Sequence, residues 1–148
     1  MERLLIQNIG LLATPAGHEA RRGPAQGEIS MTKNAWLLAE DGVIAASGTG
    51  APPGCGTAQV LDAQGCLVTP GLVDAHTHLI FGGWRQNELG LKLHGVSYLE
   101  ILARGGGILS TVEATRAASE TALVQKALPE LETMLRWGTT TCEIKSGY

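Results

Sequence analysis

The chain has 148 residues, of which 44% are hydrophobic and 17% charged, and its formal net charge is −3. This composition is typical of a soluble globular protein. The mildly acidic charge and the lack of a basic run argue against nucleic acid or an anionic membrane surface as partners. The first ten residues lack the pattern of a signal peptide, and no run of about 18 apolar residues occurs. We therefore expect a cytoplasmic protein.

The three cysteines, Cys55, Cys66 and Cys142, are odd in number and widely spaced, and they form no Cys-x-x-Cys pair. This pattern indicates neither a disulfide framework nor a cysteine zinc site.

The first part of the chain is rich in glycine, proline and short β-like runs. Leu4–Leu12 is predicted to be a strand, and a polar loop follows. The clearest hairpin joins Trp36–Ala39 to Val43–Ala46 through Asp41-Gly42, a dipeptide that tolerates the positive φ of a tight turn. Two shorter strands flank Ala63–Gly65. We expect about five short strands, forming a small β domain over residues 1–68.

The second part of the chain is predicted to be mainly helical. Ser97–Glu100 and Ser110–Glu113 both match the capping-box pattern of a helix start, and Gly105–Gly107 separates them. A longer helix is predicted from Glu120 to Trp137, and Gly138 ends it.

Within this longer helix, apolar side chains recur at helical spacing and predict packing against a sheet. Pro129 should kink or restart the helix, because it lacks an amide proton. The stripe consists of Val124, Leu128, Leu131 and Leu135.

The segment Pro70–His78 organises the second part. A turn precedes a short apolar strand, which we expect to be buried and to end in His76 and His78. Strict alternation would place both imidazoles on one face together with Asp74, so that they could bind one first-row cation. A His-x-His pair also arises by chance, and a purely structural role remains open. Asp74 either orients a ligand or makes a structural hydrogen bond.

Thr139–Ile144 is β-branched, follows a helix directly, and is predicted to be a second strand parallel to the first. Residues 69–148 then form one βαβ unit. A (β/α)8 barrel needs roughly 250 residues, and only about 80 follow Pro70. The fold class is therefore α/β, with a small N-terminal β domain and the start of an incomplete barrel.

Three stretches carry a resemblance to a known family: HTHLIFGGWRQNEL, GVSYLEILARGGGILSTVEATR and GTTTCEIKSGY. With the preceding PGLVDAHTH, they resemble the N-terminal third of the amidohydrolase superfamily, and within it the imidazolonepropionase family of histidine degradation. The resemblance implies a metal-dependent hydrolase that opens the ring of 4-imidazolone-5-propanoate to N-formimidoyl-L-glutamate. It also implies that the first 68 residues are the N-terminal part of a composite β-sandwich.

The resemblance further implies the roles of individual residues. His76 and His78 would be metal ligands for zinc or iron, with one ion per complete site. Arg85 and Tyr148 would contact the substrate, and Tyr98 is a weaker candidate whose alternative is simple packing. An arginine suits the propionate tail because its planar fork binds a carboxylate bidentately. From their positions, Glu143 and Lys145 share a strand face and are expected to form an internal ion pair or to pack in the barrel, and His94 is expected to face solvent.

The chain departs from the family in offering no further metal ligand and no general base, and no catalytic residue is identifiable in it. We expect a fragment that shows no ring-opening activity alone, even with added zinc or iron, and that self-associates through open strand edges. Two alternatives remain open. One is another amidohydrolase, such as a relative of guanine or cytosine deaminase, and the other is a non-catalytic interaction module.

Overall fold

The computed structural model describes residues 2–17, 19–54 and 56–145. They divide between Pro70 and Gly71 into two compact units. In the described ranges, the first unit contains a five-stranded sheet, and the second contains four α-helices and a pair of strands. No helix in these ranges is long and apolar enough to cross a membrane.

Strand β1 (Arg3–Pro15) lies inside the first sheet. It pairs antiparallel with β2 (Ile29–Glu40), which in turn pairs antiparallel with β3 (Val43–Thr49). Along its other side, β1 pairs in parallel with β4 (Gln59–Asp62) and with β5 (Leu67–Val68). The predicted set of about five strands is confirmed. The strands β1 and β2 are longer than predicted, because the ladder between them continues to the pair Pro15–Ile29 and supplies backbone hydrogen bonds beyond the apolar runs.

The predicted hairpin is confirmed at its turn. Glu40 pairs with Val43, which leaves Asp41 and Gly42 as the two turn residues, with φ values of 49° and 81°. Positive φ at both central positions matches the right-handed twist of the flanking strands, and aspartate and glycine adopt it at low cost.

The turn between β4 and β5 packs on β1 instead of forming a hairpin. Its amides donate to carbonyls of β1, from Ala63 to Gln7 at 2.8 Å and from Gly65 to Asn8 at 2.7 Å. These bonds lie where the β1–β2 register shifts between Ile6 and Ile9. The two strands are therefore neighbours of β1 and not of each other, a pairing that the local sequence did not reveal.

The core of the first unit is small. Ile9 is fully buried, and Leu12 and Ala35 pack with it. A cavity of about 410 Å³ opens beside this core, and none of its lining residues is ionisable. It therefore offers no side-chain acid or base for chemistry.

The second unit begins and ends with strands that pair in parallel. The helices lie between these strands in the chain, so the predicted βαβ connection is confirmed. Its elements are β6 (Leu72–Thr77), α1 (Asn87–Leu93), α2 (Tyr98–Ala103), α3 (Ile108–Ala117), α4 (Glu120–Arg136) and β7 (Thr139–Ile144).

Of the two predicted capping boxes, the first is confirmed only for its serine, because the Glu100 carboxylate pairs with Arg104. Ser97 caps α2 by accepting a hydrogen bond from the Glu100 amide at 3.2 Å. The second was wrong, because α3 begins at Ile108 and Ser110 lies inside it, donating to the Gly107 carbonyl. The amide at this helix start is bound instead by a distant carboxylate, that of Glu88. A tertiary contact thus replaces the local cap.

The long helix α4 is also only partly as predicted. It begins and ends within one residue of the expected bounds, but it continues through Pro129 without a restart. Its apolar stripe is mostly exposed, with Leu128 at 57% and Leu135 at 61%. Strand β7 covers only the end of the helix, leaving a gap of about 220 Å³ lined by Leu131 and its neighbours.

Strand β6 forms where predicted but is not buried. Leu72 and Val73 are 53% and 68% exposed. The strand has a single hydrogen-bonded neighbour in the described part of the chain, and a two-stranded ribbon covers neither of its own faces.

Glu88 is the buried carboxylate of the second unit, at 4% exposure. Its Oε1 accepts a hydrogen bond from the Gly107 amide at 2.6 Å, which ties α1 to the start of α3. Its Oε2 has no hydrogen-bond partner within the described residues, and the Lys92 ammonium lies 3.9 Å away.

We predict that Glu88→Ala lowers the free energy of unfolding by about 1–3 kcal/mol, because it leaves the buried Gly107 amide without an acceptor. Urea unfolding measures the loss, and hydrogen exchange at Gly107 locates it. The matched control is Glu113→Ala on α3, where the carboxylate is exposed. Equal stability of the two variants would contradict the role of Glu88.

Candidate active site

The two histidines lie together at the carboxyl end of β6. His76 is within the strand, and His78 is the first residue after it. Their ring centroids are 5.3 Å apart, with the ring planes at 66°. Both residues are exposed. Two imidazoles on one tetrahedral ion, each with a metal–nitrogen bond of about 2.0–2.1 Å, would have centroids about 5 Å apart. The separation therefore fits shared coordination of one ion.

The β6–β7 ladder is irregular in the segment that carries His76. Between Asp74 and Thr77 the β6 strand advances three residues while β7 advances two, from Cys142 to Ile144. This shift has the form of a β-bulge, which bends a strand and redirects its side chains. The ladder is therefore irregular at this point, and the expectation that strand alternation places both imidazoles on one face stays a prediction.

Asp74 stabilises the irregular segment. Its Oδ1 accepts a hydrogen bond from the His76 amide at 3.1 Å. The observed contact is thus with the backbone of His76. It holds the strand conformation that carries the imidazole, which agrees with the structural alternative for this carboxylate.

The loop after the histidines carries Arg85. This arginine is half-buried, and within the described residues its guanidinium has no ion pair or hydrogen bond. It lines a cavity of about 230 Å³ together with Glu88 and Arg104. Arg104, by contrast, is paired with Glu100. Of the two arginines that line this cavity, Arg85 is therefore the one whose guanidinium is available to bind an anion.

The tyrosines are less informative. Tyr98 is the first residue of α2 and is 49% exposed. Its hydroxyl lies against the turn before α3, 3.4 Å from where a Cβ would stand on Gly107, and it does not line the cavity of Arg85. Tyr148 lies outside the described residues.

An ion pair and an exposed histidine occur at positions where the sequence predicts them. Lys145 and Glu143 form the predicted ion pair at 2.8 Å, and His94 is exposed, with its Nδ1 2.7 Å from the Gly90 carbonyl. Cys66 and Cys142, the two cysteines in the described ranges, form no disulfide. No cluster of three or more His, Cys, Asp or Glu side chains in these ranges is arranged to hold a metal.

Sequence reasoning missed one residue, Lys126 on α4. Its ammonium donates to the carbonyls of Phe81 at 2.8 Å and Gly83 at 2.7 Å, in the loop between the histidines and Arg85. It also lies 3.4 Å from the Phe81 ring centroid and 4.0 Å from that of Trp84. No pattern in the sequence marks Lys126, because its partners are about 45 residues away.

The sequence comparisons define the class of protein. The sequence model described as "Amidohydrolase family" matches residues 59–136, more than half of the chain. The chain belongs to the amidohydrolase family, whose members generally bind a metal.

Curated relatives narrow the similarity further. The chain is 50% identical over 145 residues to an imidazolonepropionase of Bacillus velezensis, covering 97% of this chain and 34% of the relative. It is 48% identical to an imidazolonepropionase of Caldanaerobacter subterraneus, covering 98% and 35%. It is 47% identical to an imidazolonepropionase of Alkaliphilus metalliredigens, covering 100% and 36%. The chain thus spans about a third of the length of these relatives.

Burial lowers the pKa of Lys126 below its ordinary value of 10.5, and the carboxylate of Glu130 opposes that shift. We predict that NMR titration of its ε-methylene group gives a pKa below 10.5. Between the two values the unfolded chain binds more protons, so the free energy of unfolding should rise with pH in that window. Lys126→Met should lose this increment. A titration at or above 10.5 would show that the two carbonyls and the Glu130 carboxylate outweigh the desolvation of this amine.

Proposed function

We propose that this chain contributes metal ligands and a substrate-binding arginine to an imidazolonepropionase. The reaction is the hydrolytic opening of 4-imidazolone-5-propanoate to N-formimidoyl-L-glutamate in histidine degradation, carried out in the cytoplasm by a protein of the relatives' length. The observation that carries the proposal is the pair of imidazoles 5.3 Å apart at a strand end, followed by the loop of the unpaired Arg85. The family model alone fits other amidohydrolases, but the relatives at about 50% identity favour this one.

In this proposal, β6 and β7 are the first two strands of a (β/α)8 barrel. Barrel active sites are built at the carboxyl ends of the strands, which is where His76 and His78 lie. Further strands would cover the exposed Leu72 and Val73 and would supply the remaining ligands and the general base. The first unit would be part of a composite β-sandwich.

His76 and His78 would hold zinc or iron through neutral imidazole nitrogens, which suit either metal. When bound, such an ion lowers the pKa of water and polarises a carbonyl group. Asp74 holds the backbone that presents His76. The donor chemistry and the ring separation both fit, although two imidazoles give a weaker site than the three protein ligands of a catalytic zinc.

Arg85 would bind the propionate tail of the substrate. Its guanidinium is half-buried and forms no ion pair in the described residues, so a carboxylate could bind it bidentately and be partly shielded from water. Tyr98 and Tyr148 are proposed as further contacts to the substrate, and Tyr98 is the weaker of the two.

The metal ligands are tested by calorimetric titration of the 148-residue chain with zinc at neutral pH. We predict that His76→Ala and His78→Ala each weaken zinc binding by at least about tenfold, because each removes one of two ligands. His94→Ala is the matched control, since it removes an exposed imidazole elsewhere and should leave binding unchanged. Equal affinity of all three variants would remove the histidine pair from the proposal.

The activity is tested by grafting this chain in place of the matching third of the Bacillus velezensis relative. The graft should open the ring of 4-imidazolone-5-propanoate. Arg85→Met should raise KM by about 10- to 100-fold through loss of a charge-assisted bidentate contact. Arg104→Met is the control, because it removes a paired arginine from the same cavity. An inactive graft would contradict the proposed function. Equal effects of the two substitutions would contradict the role of Arg85.

A further inference from the structure

The loop between the histidines and Arg85 is held from two sides by helices of the second unit. From α3, the Thr115 hydroxyl accepts a hydrogen bond from the Gly82 amide at 2.8 Å. Gly82 is buried against this helix so closely that a Cβ on it would stand 2.4 Å from the Ala114 carbonyl carbon and oxygen. Only glycine fits at this contact, so the loop backbone lies directly on α3.

From α4, Lys126 holds the other side of the loop. Two carbonyls that are two residues apart, those of Phe81 and Gly83, accept hydrogen bonds from one ammonium group. Gly83 has φ of +69°, in the left-handed region, which turns the chain within this segment. The lysine thereby recognises the bent form of the loop, because an extended segment would separate these two carbonyls.

Two aromatic rings complete the surroundings of the ammonium. The Phe81 and Trp84 rings pack edge to face at 5.3 Å, and the ammonium lies near the centroid of each. The lysine therefore holds this loop in two ways. It binds the backbone carbonyls of Phe81 and Gly83, and cation–π attraction acts between its ammonium and the rings of Phe81 and Trp84. Trp84 immediately precedes Arg85 in the chain, so the position of Trp84 determines where the backbone of Arg85 begins.

We propose that Lys126 is a positioning residue that fixes the 81–84 loop and so directs Arg85 toward its anion. The proposal rests on the proposed function for the role of Arg85, whereas the loop clamp itself stands on the contacts alone. Lys126 touches neither histidine and takes no part in a chemical step. Lys126 acts on Arg85 through the backbone of Phe81–Trp84, the segment that leads into Arg85 within the loop after the histidines.

The clamp is tested first by NMR on the 148-residue chain. In the unaltered protein, the Lys126 ammonium protons should show cross-peaks to the Phe81 and Trp84 rings, and their absence would overturn the proposal. Lys126→Met should raise hydrogen exchange at the Gly82 amide by about tenfold or more, since it removes two hydrogen bonds and the cation. It should also reduce the order parameters of the 81–85 backbone and of Arg85 Nε from about 0.85 toward 0.6.

Three comparisons separate positioning from general loss of structure. Gln125→Met, an exposed neighbour on α4, should change nothing. Lys126→Arg should restore most of the order, because a guanidinium can donate to both carbonyls and stack on the rings. Exchange at the Gly107 amide, held by Glu88, should stay unchanged in every variant. Equal loosening at Gly82 and Gly107, or no loosening at Gly82, would overturn the proposal.

Kinetics of the grafted enzyme then test the link to Arg85. Lys126→Met should raise KM several-fold with a smaller change in kcat, and it should add little in an Arg85→Met background, because both act on one contact. Additive effects would refute positioning through Arg85. If the unaltered graft is inactive, the proposed function fails, while the NMR comparison still decides whether Lys126 holds the loop.

Discussion

The parallel pairing of β6 with β7 is the constraint on which the second unit depends. A parallel neighbour cannot be reached by a tight turn, so the chain must cross over before β7 can form. The four helices α1 to α4 occupy that crossover. The pairing also places the carboxyl ends of both strands at one edge, where the Lys145 amide donates to the Thr77 carbonyl at 2.8 Å. The proposed metal ligands His76 and His78 lie at that edge, and the proposed substrate contact Arg85 is in the loop that follows.

The crossover is held together by charged side chains that bind backbone groups far away in the chain. Glu88 on α1 binds the amide before α3, and Lys126 on α4 binds two carbonyls of the loop after β6. Hydrogen bonds to charged groups are stronger than neutral ones, and here they replace an extensive apolar core. Among the described residues of this unit, Leu79, Ile101 and Ala127 are the buried hydrophobic side chains.

The amidohydrolase membership and the geometry at the strand end address different questions. Membership follows from the sequence match over residues 59–136. The geometry adds that two imidazoles stand at a separation compatible with one ion, and that a nearby cavity holds an arginine without a partner in the described ranges. The substrate and the metal remain proposals, because the chain spans about a third of the length of its relatives.

The sequence by itself determined the features that depend on neighbouring residues. The Asp41-Gly42 turn, the Ser97 cap, the end of α4 near Gly138 and the strand Thr139–Ile144 all follow from local backbone preferences. The adjacency of His76 and His78 was equally readable. These features need no partner from elsewhere in the chain, so short-range patterns are sufficient to predict them.

Only the tertiary structure decided the features that depend on distant partners. The parallel docking of β4 and β5 on β1, the start of α3 at Ile108, the bulge before Thr77 and the Lys126 clamp each arise from contacts across many residues. Burial was also misjudged for β6 and for the stripe of α4, since an apolar pattern shows which face prefers to be covered and not what covers it. The residue types of the proposed site were therefore legible in the sequence, while their geometry was set by packing and long-range hydrogen bonds.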